Sequence, residues 1–368
     1  MILPLLALLL LGPLADQPPC LRGQQLQFAG CFDIPPGGTW EDPLNSRFDY
    51  SWGTIAYRED RQAIYVATHA QDPRAVGLIQ IPPQLSASEI PLGIQLGETM
   101  QLPAIPHKSV HLRGLFWDQP SRTLYYNYTL WYNVTGENAA GLGAVRDQKY
   151  FGLWYAGHNN ATAGYITRDT LSGQLLIGNA VAQGISSLGP SAYTLQLNER
   201  LLPQELASLP LETLLCHPVG RTGPASDKPA SMSTGRPWLT GMEICGGVCV
   251  DGTLIIAVDE GERSFYGTSE EFEQNFGFRP RSDGKGYHLD RYTPMLWLYS
   301  LAALHQAAQQ GQPYWSVPPY EYLPIGEIPK NGQLGGLAYD AQQRRLFVSQ
   351  AMATANRTPR LYAYQLAR

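Results

Sequence analysis

Asp49 and Glu243 each stand four residues ahead of a glycine that opens a short apolar phrase, Gly53-Thr-Ile-Ala-Tyr57 in one case and Gly247-Val-Cys-Val250 in the other. His111 stands three residues ahead of a third such glycine, Gly114, with Arg113 beside it, and Gln333 stands three ahead of Gly336. If these phrases are structural repeats, residues at matching offsets lie at one height and can converge on one pocket. Asp49, Glu243 and His111 are then the candidate acid/base groups, and Arg113, Trp52 and Gln333 the candidate ligand contacts. A neighbouring guanidinium keeps a carboxyl ionised, whereas burial against an aromatic ring such as Trp52 pushes one towards its protonated form. That split is what an acid/base pair needs, and it equally suits a charged binding site. With 31 acidic residues in a chain of 368, the shared offset also has a plain reading as turn hydrogen bonding.

The elements that must position these residues are legible in the last stretch of the chain. Gly335-Gly-Leu-Ala-Tyr-Asp340 is followed by a polar turn, then by Leu346-Phe-Val-Ser-Gln350, a loop and Leu361-Tyr-Ala-Tyr-Gln-Leu366. Short apolar runs separated by turn residues predict an antiparallel meander. The phrase recurs from Gly53, Gly114, Gly189, Gly247 and Gly336. Recurrence of a four-strand unit predicts one all-β domain over residues 16–368, a five-bladed β-propeller of four-stranded sheets. The strand near Gln24–Phe32 is expected to close the ring by pairing with the last blade, and Gly164-Tyr-Ile-Thr167 to be an outer strand of the second. Two short helical inserts are expected, one from Pro203 to Leu209 and one from Leu298 to Gln310. The segment 261–291 reads as a long loop over one face.

The N-terminal run from Met1 to Leu11 has the length of a signal-peptide core, with cleavage near Ala15, so residues 1–15 are expected to be removed and the mature protein to be secreted or periplasmic without a transmembrane segment. A net charge of −5 gives no basic footprint for nucleic acid. Of the five cysteines, Cys20 and Cys31 bracket the first strand and are the pair expected to form a disulfide. Cys245 and Cys249 are too far apart along a strand to bond, and the cysteines and histidines do not fall at metal-ligand spacing. His69, His158 and His288 are candidates to face a site, and Asp259-Glu260 reads as a solvated strand end. No phosphate loop, nucleophile elbow or dinucleotide fingerprint is present, and no cofactor is indicated.

Phe48-Asp-Tyr-Ser-Trp-Gly-Thr-Ile-Ala-Tyr57, Gly189-Pro-Ser-Ala192, Ser264-Phe-Tyr-Gly267, Lys285-Gly-Tyr-His288, Leu296-Trp-Leu-Tyr299 and Gly336-Leu-Ala-Tyr-Asp-Ala341 fall in the order seen in a group of uncharacterised exported bacterial proteins. The chain resembles that group over most of its length. The resemblance implies a β-propeller and export, and implies no activity. Relatives often carry a Cys before the Tyr-Gly of the loop; Phe265 stands there in this chain, so their loop disulfide is absent. Two functions from different classes follow. One is an exported binding or scaffold propeller whose aromatic-lined channel mouth holds a carbohydrate or other small ligand. The other is a glycoside hydrolase, lyase or lactonase-like enzyme working through carboxylates at that mouth, where acid and base must come from separate blades.

Overall fold

The computed structural model describes residues 20–38, 47–71, 74–105, 107, 110–131, 138–157, 159–180, 189–200, 202–203, 207–217, 230–231, 237–238, 241–279, 286–289 and 291–367. The expected signal peptide, His158 and part of the expected helix from Pro203 lie outside these residues.

Five antiparallel sheets follow one another around a ring. Blade one is Ile55–Arg58, Ala63–Ala67 and Ala75–Gln80, its outer place shared by the short strands Ile94–Gln95 and Met100–Gln101. Blade two is Val110–Asp118, Thr123–Leu130, Leu142–Arg146 and Lys149–Trp154, and blade three is Ile166–Arg168, Leu175–Ile177, Ser191–Leu195 and Leu211–Cys216. Blade four is Glu243–Val250, Thr253–Glu260, Thr293–Ser300 and Glu321–Pro324. Blade five is Leu334–Asp340, Arg345–Gln350 and Arg360–Leu366, completed by Leu26–Asp33 from the other end of the chain. That last pairing matches the expected closure and removes an open sheet edge.

Alternation along each strand sends successive side chains to opposite faces, so a strand feeds the cores on both sides of its blade. In Thr123–Leu130, Tyr126 and Tyr128 enter the core shared with blade one, while Tyr125 enters the core shared with blade three. Ile244 and Trp297 of blade four pack with Tyr165 and Leu176 of blade three; Val248 and Ile255 pack with Leu337 and Leu346 of blade five. Phe347 and Leu361 of blade five pack with Ile55 and Ile64 of blade one. Five cores, one at each seam, make the ring.

The third blade corrects the sequence reading. Its inner strand begins just after Gly164, and the segment from Gly189 forms its third strand instead. The glycines explain why the first reading slipped. A Cβ on Gly114 would lie 2.0 Å from the Gly164 carbonyl oxygen, and one on Gly335 would lie 2.6 Å from the Gly53 oxygen. The anchoring glycines mark where inner strands touch backbone to backbone across a narrow axis, and a glycine inside a blade can mimic them. Register shifts at Leu112/Gly114, Ile244/Gly246 and Leu334/Leu337 put β-bulges at the same level in blades two, four and five. Such bulges re-aim the residues that precede them.

At the opposite end three of the inner strands, those of blades two, three and five, turn into their neighbours through the same device. Asp118 accepts from the Ser121 amide at 3.1 Å, Asp169 from Leu171 at 2.8 Å, and Asp340 from Gln343 at 3.0 Å. Four residues after each of these aspartates comes a residue with positive φ, namely Arg122, Gly173 and Arg344. The side chain satisfies turn amides that the ladder leaves open.

Two helices of eight or more residues are described. Leu301–Gln309 lies where one was expected, shortened because Leu298 and Tyr299 belong to a strand; Ser300 caps it by accepting from the Ala303 amide at 3.3 Å. The other is Ser269–Phe276, set in sequence between the paired strands Ser264–Gly267 and Gly286–Leu289, so the described residues of the segment 261–291 hold a strand pair and a helix and are not a plain loop. Thr268 and Glu271 form a capping box at its start, a local signal that was readable. Near Pro203, by contrast, Ser208 bridges Tyr155. No helix among the described residues is long and apolar enough to cross a membrane.

The helix Leu301–Gln309 is tied to blade three by His305, whose Nε2 lies 2.5 Å from the fully buried Asp169 carboxylate. The hydrogen bond to Asp169 raises the imidazole pKa, with burial opposing it. Burial works to raise the Asp169 pKa, but the bonds from His305, Leu171 and Ser172 outweigh it and lower it. The His305 contribution is therefore complete below its unfolded value near 6.5 and fades as pH rises through the raised folded value. The Asp169 contribution is present above about 3.9 and fades as pH falls through its lowered one. His305→Ala should thus cost on the order of 1–3 kcal/mol near pH 5–6 and less at pH 9, measured by urea midpoints across pH. A cost that grows with alkalinity would contradict the pairing.

The expected Cys20–Cys31 disulfide does not form: all five cysteines are free. Cys31 is buried and its thiol donates to the Ser86 carbonyl at 3.3 Å, away from Cys20. Alkylation of the denatured, unreduced protein should label five thiols per chain, and a missing pair would mean that a bond forms after all.

Candidate functional site

The segments leading into the inner strands open on one face, together with the ends of the second strands. On this face Trp52 of blade one, His111 and Arg113 of blade two, and Trp131 just after Leu130 come together. The Trp52 and Trp131 rings stack at 5.8 Å and 29°, and the His111 ring lies 5.3 Å from Trp52 and 5.0 Å from Trp131. The Arg113 guanidinium sits 5.4 Å from the Trp52 ring centre and is almost wholly buried. Thr54 fastens this corner by donating to the Leu112 carbonyl at 2.8 Å, which joins the two inner strands. Burial, and then the charge of Arg113, push the His111 pKa down to about 4, so its imidazole is neutral at pH 7. Trp131 remains 41% exposed and offers an indole surface to solvent.

The two acids singled out by sequence have partners of their own. Asp49 is held by Arg47, with Nε–Oδ1 at 2.9 Å and a second contact between Nη2 and Oδ2. Beside it Tyr50, at φ 54°, lies 5.5 Å from the His69 ring and carries the Arg357 guanidinium at 5.5 Å. Glu243 belongs to blade four, opposite Asp259 across the strand pair, and the carboxylates of both lie with the Cys245 sulfur within 4.8 Å of one another. Asp259 is fully buried and accepts from the Leu334 amide at 3.2 and 3.3 Å, bridging blades four and five. The contacts described for Asp49, to Arg47, and for Glu243, to Asp259 and Cys245, have no residue in common. Gln333 is half-buried, and its carbonyl accepts from the Ala351 amide at 2.8 Å.

Sequence reasoning thus brought Trp52, His111 and Arg113 together but passed over Trp131 and misread Asp259. Asp259-Glu260 is not a solvated strand end, since Asp259 is buried and Glu260 accepts from the Trp297 indole at 3.0 Å. Both missed residues sit at the exit of a second strand, so aligning second-strand ends as well as inner-strand starts would have found them. Glu243, Cys245 and Asp259 are the group among the described residues whose donor atoms could hold a metal ion. His288 is structural: its Nε2 meets the Gly267 carbonyl at 2.9 Å inside the blade-four insert. His69 accepts from the Gln71 amide at 3.0 Å.

No family model matches the sequence, and no curated protein matches it. Among solved structures the chain is similar to a luciferin-regenerating enzyme, with TM-score 0.42 and 11% identity over 86% of this chain and 92% of that one. It is also similar to native Bacillus subtilis arabinanase, with TM-score 0.41 and 11% identity over 91% and 96%. A GH43_1 enzyme from Xanthomonas citri gives TM-score 0.42 and 10% identity over 90% of each chain. Likeness at this level carries nothing about residues or chemistry.

Proposed function

We propose that this propeller binds a small ring-bearing ligand, carbohydrate-like in its chemistry, at the channel mouth between blades one and two. The observation that carries the reading is the Trp52–His111–Trp131 group, with one indole open and a guanidinium behind the other. A flat, desolvated aromatic surface favours the C–H face of a ring, and a neutral imidazole beside it donates or accepts a hydrogen bond without demanding a counter-charge. Export through the N-terminal segment is part of this reading and places such ligands outside the cell.

A second reading is hydrolysis or elimination through carboxylates, and one observation favours it: the close approach of Glu243 and Asp259 beside Cys245. Two carboxyl groups at such range could serve one substrate as acid and base. Titration of intrinsic tryptophan fluorescence with neutral monosaccharides and oligosaccharides tests the first reading. Saturable change in the wild type, lost in Trp131→Ala, is the expected result; an unchanged Trp131→Ala titration overturns it. Turnover of any of these sugars that disappears in Glu243→Gln would favour the second reading instead.

A further inference from the structure

The far end of the channel holds a cavity that the mouth site does not use. Each inner strand gives it apolar side chains, among them Ala56, Leu115, Ile166, Val248 and Leu337, all less than a tenth exposed, so its inner wall is apolar and formed by all five blades. Its rim is polar and carries paired charges beside Glu59, Gln119 and Thr170. Arg168 reaches Asp118 at 2.8 Å and Glu199 at 3.0 Å. Arg344 reaches Asp251 at 2.8 Å, and Asp169 is taken by His305. Arg168 and Arg344 both line the cavity, and the Nε of each is buried without a hydrogen-bond acceptor.

From this geometry we infer that the cavity is a second ligand site, selective for a small uncharged polyhydroxylated ring. The apolar wall takes the C–H face of such a ring. The rim supplies fixed donors and acceptors in Arg–carboxylate pairs, the arrangement that vicinal hydroxyls match, each serving as donor to a carboxylate and acceptor from a guanidinium. A charged ligand would compete for one member of a pair and leave the other partly buried and unmatched, which is costly. Neutral ligands avoid that cost. The inference is independent of the mouth site and would survive its failure.

The test is calorimetric titration of Trp131→Ala, in which the mouth site is weakened, with D-glucose and myo-inositol, and with D-glucuronate as the charged counterpart. Residual binding of a neutral ring, at least tenfold tighter than of glucuronate, is expected. Adding Ala341→Trp, which fills the cavity mouth from an exposed turn, should weaken that binding at least tenfold, and Arg344→Gln should do the same. Because Ala341 is exposed, its replacement leaves folding intact, so a null effect cannot be blamed on instability. If Trp131→Ala binds neither neutral ring, or binds them unchanged after Ala341→Trp, this site does not exist. Binding by the wild type that vanishes with Trp131→Ala alone would leave the mouth reading standing and this one refuted.

Discussion

Gly114→Ala should strongly destabilise the protein. The new Cβ would meet the Gly164 carbonyl oxygen at 2.0 Å and the Asn127 Cβ at 2.9 Å. The nearer neighbour is backbone of the next blade, which moves only if the inner strands of blades two and three part. Parting them opens the core that holds Tyr125, Trp154 and Ile177. Overpacking at yielding sites costs about 1–3 kcal/mol, so a rigid backbone contact should cost at least ~3 kcal/mol, a large share of a typical domain's stability. Gly326 is the control, because nothing lies within 4 Å of a Cβ there and its φ is not reserved for glycine. Gly326→Ala should change stability by no more than about 1 kcal/mol, in the stabilising direction if the unfolded chain stiffens. Urea midpoints for both variants decide the matter, and a Gly114→Ala midpoint near wild type would mean that the axis is wider than described.

Removal of the open indole should cost ligand affinity and little else. Trp131 is 41% exposed, so Trp131→Ala should reduce affinity about tenfold or more, corresponding to ~1.4 kcal/mol, while leaving the unfolding midpoint close to wild type. Trp52→Ala should lower both, since Trp52 also covers Arg113 and packs between blades. The two effects should be less than additive in the double variant, as expected when stacked rings form one surface. Affinity should be flat between pH 5 and 8, because His111 stays neutral there, and should fall as pH drops to about 4 and a second cation forms beside Arg113. His111 has a folded pKa below its unfolded one, so the unfolded chain binds the extra proton first and stability also declines as pH falls from about 6.5 towards 4. His111→Phe should remove that slope. Affinity that follows a midpoint near pH 6.5 would show an exposed imidazole and sink the site.

The recurring Gly-apolar phrases carried the architecture because they are local. A strand, a turn aspartate and a residue of positive φ four places later are each written in a few adjacent residues, and so was the closing strand Leu26–Asp33, by its alternation. The same locality explains the misplaced third blade. Gly164 and Gly189 both precede apolar residues, and what separates them is contact: Gly164 faces the backbone of residues 178–180 and of blade two, whereas Gly189 faces the His217 ring. Contacts across blades are not written in the phrase.

The candidate site divides in the same way. Offsets from the glycines were enough to place Trp52, His111 and Arg113 at one end of neighbouring strands. They were not enough for Asp49 and Glu243, whose partners are set by a two-residue neighbour, Arg47, and by a strand pairing with Asp259. Bulges in the inner strands of blades two, four and five turn the side chains ahead of them by amounts that the sequence does not encode at that position. Trp131, Asp259 and the cavity walled by Ala56, Leu115, Ile166, Val248 and Leu337 depend on residues scattered over the whole chain. The sequence determined the repeating strands and their turns, through periodicity and backbone preference. Only closing the ring decided which side chains share a pocket, because that follows from the packing of five blades around one axis, which is narrow at glycines such as Gly114 and Gly335.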